Sequence, residues 1–236
     1  RKAEGEGVSY GITGGGNTIL NTTIDSLIIT DMFYTNVDAD IVNLGHLEDA
    51  RGVKILGLLG ASLFKEVEME IDYRNNLLIL YKLDKEGNRI VGNERTQLPD
   101  VDISIDITND IIFMDVVAAE KKLRFCLDTG AERNVISNTL SNKIIKHFQL
   151  TTPGGLTGSN GNSQLILNGQ MDSVIIGGKS FVAMPFILTN LNYLQLVYDT
   201  NINGILGYDY LSKGIVTINH KKKRLTMYFY TATKTA

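Results

Sequence analysis

Short runs in which apolar and polar positions alternate, separated by clusters of glycine and asparagine, make up most of this chain. Over residues 101–107, Val101, Ile103, Ile105 and Ile107 fall on one face and Asp102, Ser104 and Asp106 on the other. That two-residue period belongs to a half-buried strand. Runs of the same β-rich kind occupy 26–29, 67–71, 77–81, 173–176 and 225–230, so the pattern predicts an all-β fold. Helical spacing is confined to one stretch, where Leu140, Ile144, Ile145 and Phe148 predict a helix over 138–148, capped by Ser137 or Asn138. A second short helix is expected after Gly207.

The runs also repeat. Residues 11–14 (Gly-Ile-Thr-Gly) match 155–158 (Gly-Leu-Thr-Gly), and 24–29 match 171–176 through a shared Asp-Ser followed by apolar residues. In the same order, Asn43 and Leu44 fall opposite Asn190 and Leu191, and 55–57 (Ile-Leu-Gly) opposite 205–207 (Ile-Leu-Gly). The segments 71–74 with 80–81 then fall opposite 218–221 with 227–228. An ordered series of this kind indicates an internal duplication. The second copy is preceded by a segment from about Leu98 that has no counterpart before Gly11. The junction is expected over 84–99, rich in charge, asparagine and glycine. The expected organisation is therefore 1–95 as the C-terminal part of a first lobe and 96–236 as a complete second lobe.

Composition narrows the chemistry. A chain of 236 residues with 43% hydrophobic content can bury a substantial core, and a net charge of −3 offers no broad basic field for nucleic acid. Cys126 is the single cysteine, which excludes an intrachain disulfide and a multi-cysteine zinc site. His46, His147 and His220 lie far apart and form no metal-binding spacing, so no metal and no cofactor is expected. No apolar run approaches the roughly 20 residues that span a bilayer. The opening residues 1–7 lack the apolar stretch of a secretory leader, and a leader already removed would leave no trace.

The segment that precedes the second copy carries the chemistry. Leu123, Phe125 and Leu127 form an apolar strand face that ends at Asp128, Thr129, Gly130 and Ala131, and Val135, Ile136 and Ser137 follow. Two carboxyl groups held about 3 Å apart cannot both ionise and so share one proton, one serving as base and the other as acid. An aspartate presented by a rigid strand suits that role. Gly130 lets the backbone turn and offer its N–H to the carboxylate, and the Thr129 hydroxyl can lock two loops together. Alone, the Asp-Thr-Gly triplet also suits an ordinary strand-ending turn. Cys126 reads as an inert thiol on the buried strand.

These residues resemble the active-site loop of retropepsin-like aspartic proteases, bacterial members included. The run 203–207 (Asn-Gly-Ile-Leu-Gly) is similar to the hydrophobic-hydrophobic-Gly element that lies behind the loop in that family. Gly155, Leu156, Thr157, Gly158 and Ser159 stand where the family's mobile flap stands. Nothing resembling the Lys-Ser or Lys-Thr of a phosphate loop follows them. The resemblance implies acid-protease-type β-barrel lobes with one or two short helices and a pseudo-twofold duplicated plan like that of pepsin-like enzymes. It further implies an aspartic endopeptidase acting on a polypeptide substrate, with Asp128 catalytic, Thr129, Gly130 and Ala131 supporting it, and 155–159 covering the substrate. A periplasmic or exported bacterial location goes with the same resemblance.

The chain departs from the family in carrying one such loop where activity needs two. The second aspartate is expected from an upstream segment or from a second chain. The alternative is a catalytically inactive relative that keeps the cleft for peptide binding or assembly. Asp25 and Asp199 are expected to be strand-edge and turn residues, and 221–224 a solvated hairpin tip.

Overall fold

The computed structural model describes residues 5–10, 16–92, 95–157 and 163–230. Its contacts divide the chain into two compact units, one of residues 1–58 with 155–165 and one of 59–154 with 166–236. The division by contacts does not coincide with the division at residue 95, which remains a reading of the repeat.

The first unit is built on three antiparallel strands, β1 (Gly5–Tyr10), β2 (Gly16–Ile29) and β3 (Met32–Ile41), in that order. The β2–β3 hairpin runs from Leu20 opposite Ile41 to Ile29 opposite Met32, and Thr30 takes a positive φ of 53° at its turn. A short helix α1 (Gly45–Arg51) follows and ends at Gly52 in the left-handed conformation, where glycine carries no steric cost.

The second unit begins with a 3-10 turn (Ala61–Phe64) and the hairpin β4 (Val67–Asp72) and β5 (Leu77–Lys82). Next come β6 (Val101–Ser104), β7 (Asp106–Thr108), β8 (Ile111–Ala118), β9 (Lys121–Leu127), β10 (Val135–Ser137) and helix α2 (Asn142–Ile145). After β11 (Phe148–Thr157), β12 (Ser163–Ile176) and β13 (Lys179–Thr189) come helix α3 (Asn192–Tyr198) and β14 (Gly204–Leu206). Helix α4 (Tyr208–Leu211), β15 (Gly214–Asn219) and β16 (Arg224–Phe229) complete it. The fold is all-β with a few short helices, as the alternation predicts. Residues 101–107 form two successive strands, β6 and β7, separated at Ile105 and belonging to different sheets, with Val101 and Ile105 buried and Asp102, Ser104 and Asp106 exposed.

An eight-stranded sheet runs β11-β12-β13-β10-β14-β9-β8-β7, and β12 also pairs with β8, so β12, β13, β10, β14, β9 and β8 close on one another as a barrel. Phe125, Ile136, Met171, Val174, Phe186, Leu206 and Tyr210 fill the core. Each such side chain contributes about 1.5–3 kcal/mol through removal of apolar surface from water. Core Val216, Ile218, Leu225 and Met227 come from a second sheet, ordered β5-β4-β15-β16-β6. Within it β4 pairs antiparallel with β15, placing Ile71 opposite Val216, Glu70 opposite Thr217 and Met69 opposite Ile218. Glu70, almost wholly buried, is neutralised by Arg95 at 2.8 Å and Arg89 at 3.4 Å, which bind the expected junction segment onto this sheet.

Element ends give the repeat a single offset. β2 and β12 start at Gly16 and Ser163, α1 and α3 at Gly45 and Asn192, β4 and β15 at Val67 and Gly214, and β5 and β16 at Leu77 and Arg224, each pair 147 positions apart. Side-chain bonds repeat with them: Asn43 Oδ1 accepts the Gly45 N–H at 2.8 Å, and Asn190 Oδ1 accepts the Asn192 N–H at 2.8 Å. At this spacing the counterpart of 204–207 (Gly-Ile-Leu-Gly) is 57–60 (Gly-Leu-Leu-Gly), which corrects the match to 55–57. Residues 11–14 lie outside the described residues.

The helix expected over 138–148 is also corrected, to Asn142–Ile145. Residues 137–140 are held in a turn instead: the Asn138 N–H donates to Thr189 and the Leu140 N–H to the Ser137 carbonyl. Phe148 opens β11 with its side chain buried in the core, so strand pairing and burial override helical periodicity there. The short helix after Gly207 is α4. Residues 220–223 form the tip between β15 and β16.

Candidate active site

Strand β9 brings Asp128 to the edge of the barrel. Phe125 is fully buried and Leu123, Cys126 and Leu127 nearly so, while Asp128, Thr129 and Gly130 emerge exposed. The backbone then doubles back, with the Ala131 N–H reaching the Asp128 carbonyl at 3.2 Å. The Gly130 N–H donates to Asp128 Oδ1 at 2.8 Å, the bond expected from the turn. This bond fixes the orientation of the carboxylate relative to the turn.

Behind the loop, β14 lies between β9, parallel to it, and β10, antiparallel to it. Gly204 stands beside Phe125, Ile205 beside Cys126 and Leu206 beside Leu127. The Asp128 N–H donates to the Leu206 carbonyl at 3.0 Å, and the Tyr208 N–H donates to the Ala131 carbonyl at 2.8 Å. Glycine is required at 207 by close approach: a Cβ there would sit 2.5 Å from the Ala131 carbonyl oxygen and 2.7 Å from that of Arg133. The hydrophobic-hydrophobic-Gly element is thus the seat on which the Asp128 loop rests.

Apart from Cys126, the electrostatic surroundings come from residues that sequence reading missed. Burial pushes the phenol pKa values of Tyr73 and Tyr198 up, and the negative charge of Asp128 adds to both shifts. Tyr73 reaches this neighbourhood from the β4–β5 turn and meets Tyr208 edge-to-face with ring centroids 5.2 Å apart. Burial, reinforced by Asp128, raises the Cys126 thiol to about 12, so it stays protonated and unreactive. Asn134, Arg133 and Asp209 form a further hydrogen-bonded set beside the loop. None of them stands in a recognisable motif.

Of the expected flap, Gly155, Leu156 and Thr157 end β11, whose sheet neighbour is β12; Gly158 and Ser159 lie outside the described residues. Asp25 is exposed within the middle strand β2 and not at a strand edge, while Asp199 adopts the left-handed conformation at the end of α3, the turn position expected of it. His147 Nδ1 lies 3.1 Å from Asp172, and His220 is buried. Among the described residues no cluster of His, Cys, Asp or Glu is arranged to hold a metal ion, and no helix is long and apolar enough to cross a membrane.

Residues 114–210 match a family model described as aspartyl protease. The chain is similar to the crystal structure of a retropepsin-like aspartic protease from Rickettsia conorii, at 19% identity over 53% of this chain and 88% of that one, with a TM-score of 0.36. It is also similar to that of an aspartic proteinase from Irpex lacteus, at 13% identity over 99% of this chain and 84% of the other, with a TM-score of 0.49. No curated protein matches the sequence. The segment matched by the aspartyl protease model runs from β8 through the Asp128 loop to α4, so the similarity covers that loop and the β14 element on which it rests.

Proposed function

We propose that the protein is an aspartic endopeptidase in which Asp128 supplies one of two carboxyl groups that share a proton. The observation that carries this reading is an exposed aspartate at the end of a buried strand, its Oδ1 bound by the Gly130 N–H and its backbone seated on the Gly207 turn. A pair of such acids polarises a water between them, one taking its proton as the other protonates the substrate amide. The pair titrates as a unit. The second carboxyl is supplied by an upstream segment or by a second chain, and Thr129 bonds the two loops together. An extended polypeptide pairs with strand edges beneath a flap formed around 155–159, which excludes water as it closes.

The competing reading is a silent relative that binds peptide or assists assembly. It draws on the same fact, that this sequence contains a single Asp-Thr-Gly. Cleavage of an unfolded polypeptide across acidic to neutral pH separates the two: activity that is inhibited by pepstatin and abolished by Asp128→Asn supports the peptidase. Absence of cleavage at every pH by a preparation containing the whole gene product would leave the silent relative standing.

A further inference from the structure

We propose that Asn134 is a positioning residue for Asp128, holding the catalytic loop in register with the Gly207 turn. Its kinetic consequence rests on the peptidase reading; the bonds that motivate it do not. Asn134 is fully buried, and a buried carboxamide needs partners at both ends. Oδ1 accepts the Gly207 N–H at 2.9 Å, and Nδ2 donates to the Pro185 carbonyl at 3.1 Å. One partner is a donor and the other an acceptor, so only one orientation of the amide satisfies both. The main chain is anchored as well: the Asn134 N–H donates to Asp209 Oδ2 at 3.1 Å, and its carbonyl accepts the Ile187 N–H at 2.8 Å. Asp209 Oδ2 also takes Arg133 Nε at 2.9 Å.

One side chain therefore joins the exit of the catalytic loop to the end of β14 and to β13. The same turn holds both ends of the Asp128 loop: the Leu206 carbonyl on one side of Gly207 accepts the Asp128 N–H, and the Tyr208 N–H on the other side donates to the Ala131 carbonyl. Without Asn134 Oδ1 the Gly207 N–H is buried with no partner. The turn then shifts or admits water, and Asp128 moves with the carbonyl that holds it. A misplacement of about 1 Å in a reacting group can cost about 100-fold in rate. Leucine at 134 would fill the space but leave both bonds unmade.

The test compares Asn134→Ala and Asn134→Asp with wild type. Asn134→Ala should lower kcat about 100-fold with KM within about threefold, since the reacting geometry and not the substrate cleft is disturbed. In Asn134→Asp the protonated acid supplies both a donor and an acceptor, so activity should approach wild type at acid pH. It should then fall as pH rises, when the carboxylate can no longer donate to the Pro185 carbonyl, a second limb added to the one that loss of the shared proton gives wild type. Amide exchange gives a readout independent of catalysis. In Asn134→Ala the Gly207 and Asp128 amides should exchange at least about tenfold faster, while the Ile218 amide of central β15 keeps its wild-type rate. A folded Asn134→Ala with kcat within threefold of wild type would overturn the inference, as would equal acceleration at Ile218 and Gly207, which marks general destabilisation. Should wild type cleave nothing, the peptidase reading fails and the exchange pattern still decides the role of Asn134.

Discussion

Residues 57–60 and 204–207 spell nearly the same four-letter pattern, Gly-Leu-Leu-Gly and Gly-Ile-Leu-Gly, at the repeat spacing, and the molecule treats them in opposite ways. Ile205 and Leu206 are 6% and 0% exposed, whereas Leu58 and Leu59 are 68% and 52% exposed. A Cβ on Gly204 would come within 2.1 Å of Phe125, while one on Gly57 meets nothing within 4 Å. The difference lies in the neighbours. β9 and β10 flank β14 on both sides, whereas among the described residues no strand pairs with 57–60. Burial of this element is thus conferred by the strands on either side of the Asp128 loop and is not intrinsic to the pattern. Under the proposed function, the segment that brings the second carboxyl would flank 57–59 as β9 and β10 flank β14.

The largest expected effect tests whether the two copies differ in chemistry as they do in burial. Asp128→Asn should reduce peptide cleavage about a thousandfold, because the pair loses the proton that it shares. Asp25→Asn and Asp199→Asn should leave cleavage within about twofold, as neither is presented by a buried strand end. Steady-state kinetics on one unfolded substrate checks all three. Equal losses at Asp25 and Asp128 would erase the asymmetry between the copies.

A second pair of substitutions tests packing alone. Leu206→Ala opens a cavity in a filled core and should cost about 2–5 kcal/mol, whereas Leu59→Ala should stay within about 0.5 kcal/mol. Urea titrations of the two variants read the difference directly, and comparable losses would mean that Leu59 is packed after all. The glycines sharpen the point. Gly207→Ala drives a methyl into the Ala131 and Arg133 carbonyls and should cost about 1–3 kcal/mol. Gly60 has φ −76°, and a Cβ there would lie 3.8 Å from its nearest neighbour, Ser62 Oγ, so Gly60→Ala should stabilise by about 0.4–1 kcal/mol.

What could be read from the sequence was whatever is local. The alternation at 101–107, the Asp128 turn and its Gly130 N–H, and the short helix after Gly207 each follow from residues within a few positions of one another. The elements joined by long-range pairing could not be read this way. Tyr73 and Tyr198 approach Asp128, and Asn134 meets Gly207, because sheet register brings distant segments together, and no spacing in the chain announces it. The helix predicted over 138–148 overreaches because Phe148 suits a helical face and a buried strand equally well. Degenerate Gly-Leu runs let the repeat drift by three positions, a slip that only the ends of the strands and helices correct.

The smallest expected effect concerns the hairpin turns that follow β4 and β15. Asp72 and Asn219 occupy equivalent positions and make the same turn bond, to the Asn75 N–H at 3.1 Å and to the Lys222 N–H at 2.9 Å. Only Asp72 titrates. Burial works to raise its pKa, but the Tyr230 hydroxyl at 2.6 Å and the bonds from Asn75 and Arg74 outweigh it and hold the carboxyl below its ordinary range. A depressed folded pKa means that the unfolded chain binds more protons in the interval between the two values. The contribution of Asp72 is therefore complete above the unfolded pKa of about 3.9 and is lost as pH falls through the folded pKa. Asp72→Asn should flatten that part of the acid limb, so the urea midpoints of variant and wild type converge toward low pH. Midpoint curves that stay parallel from neutral to strongly acid pH would show that the turn of the first copy is held, like that of the second, by bonds that do not depend on charge.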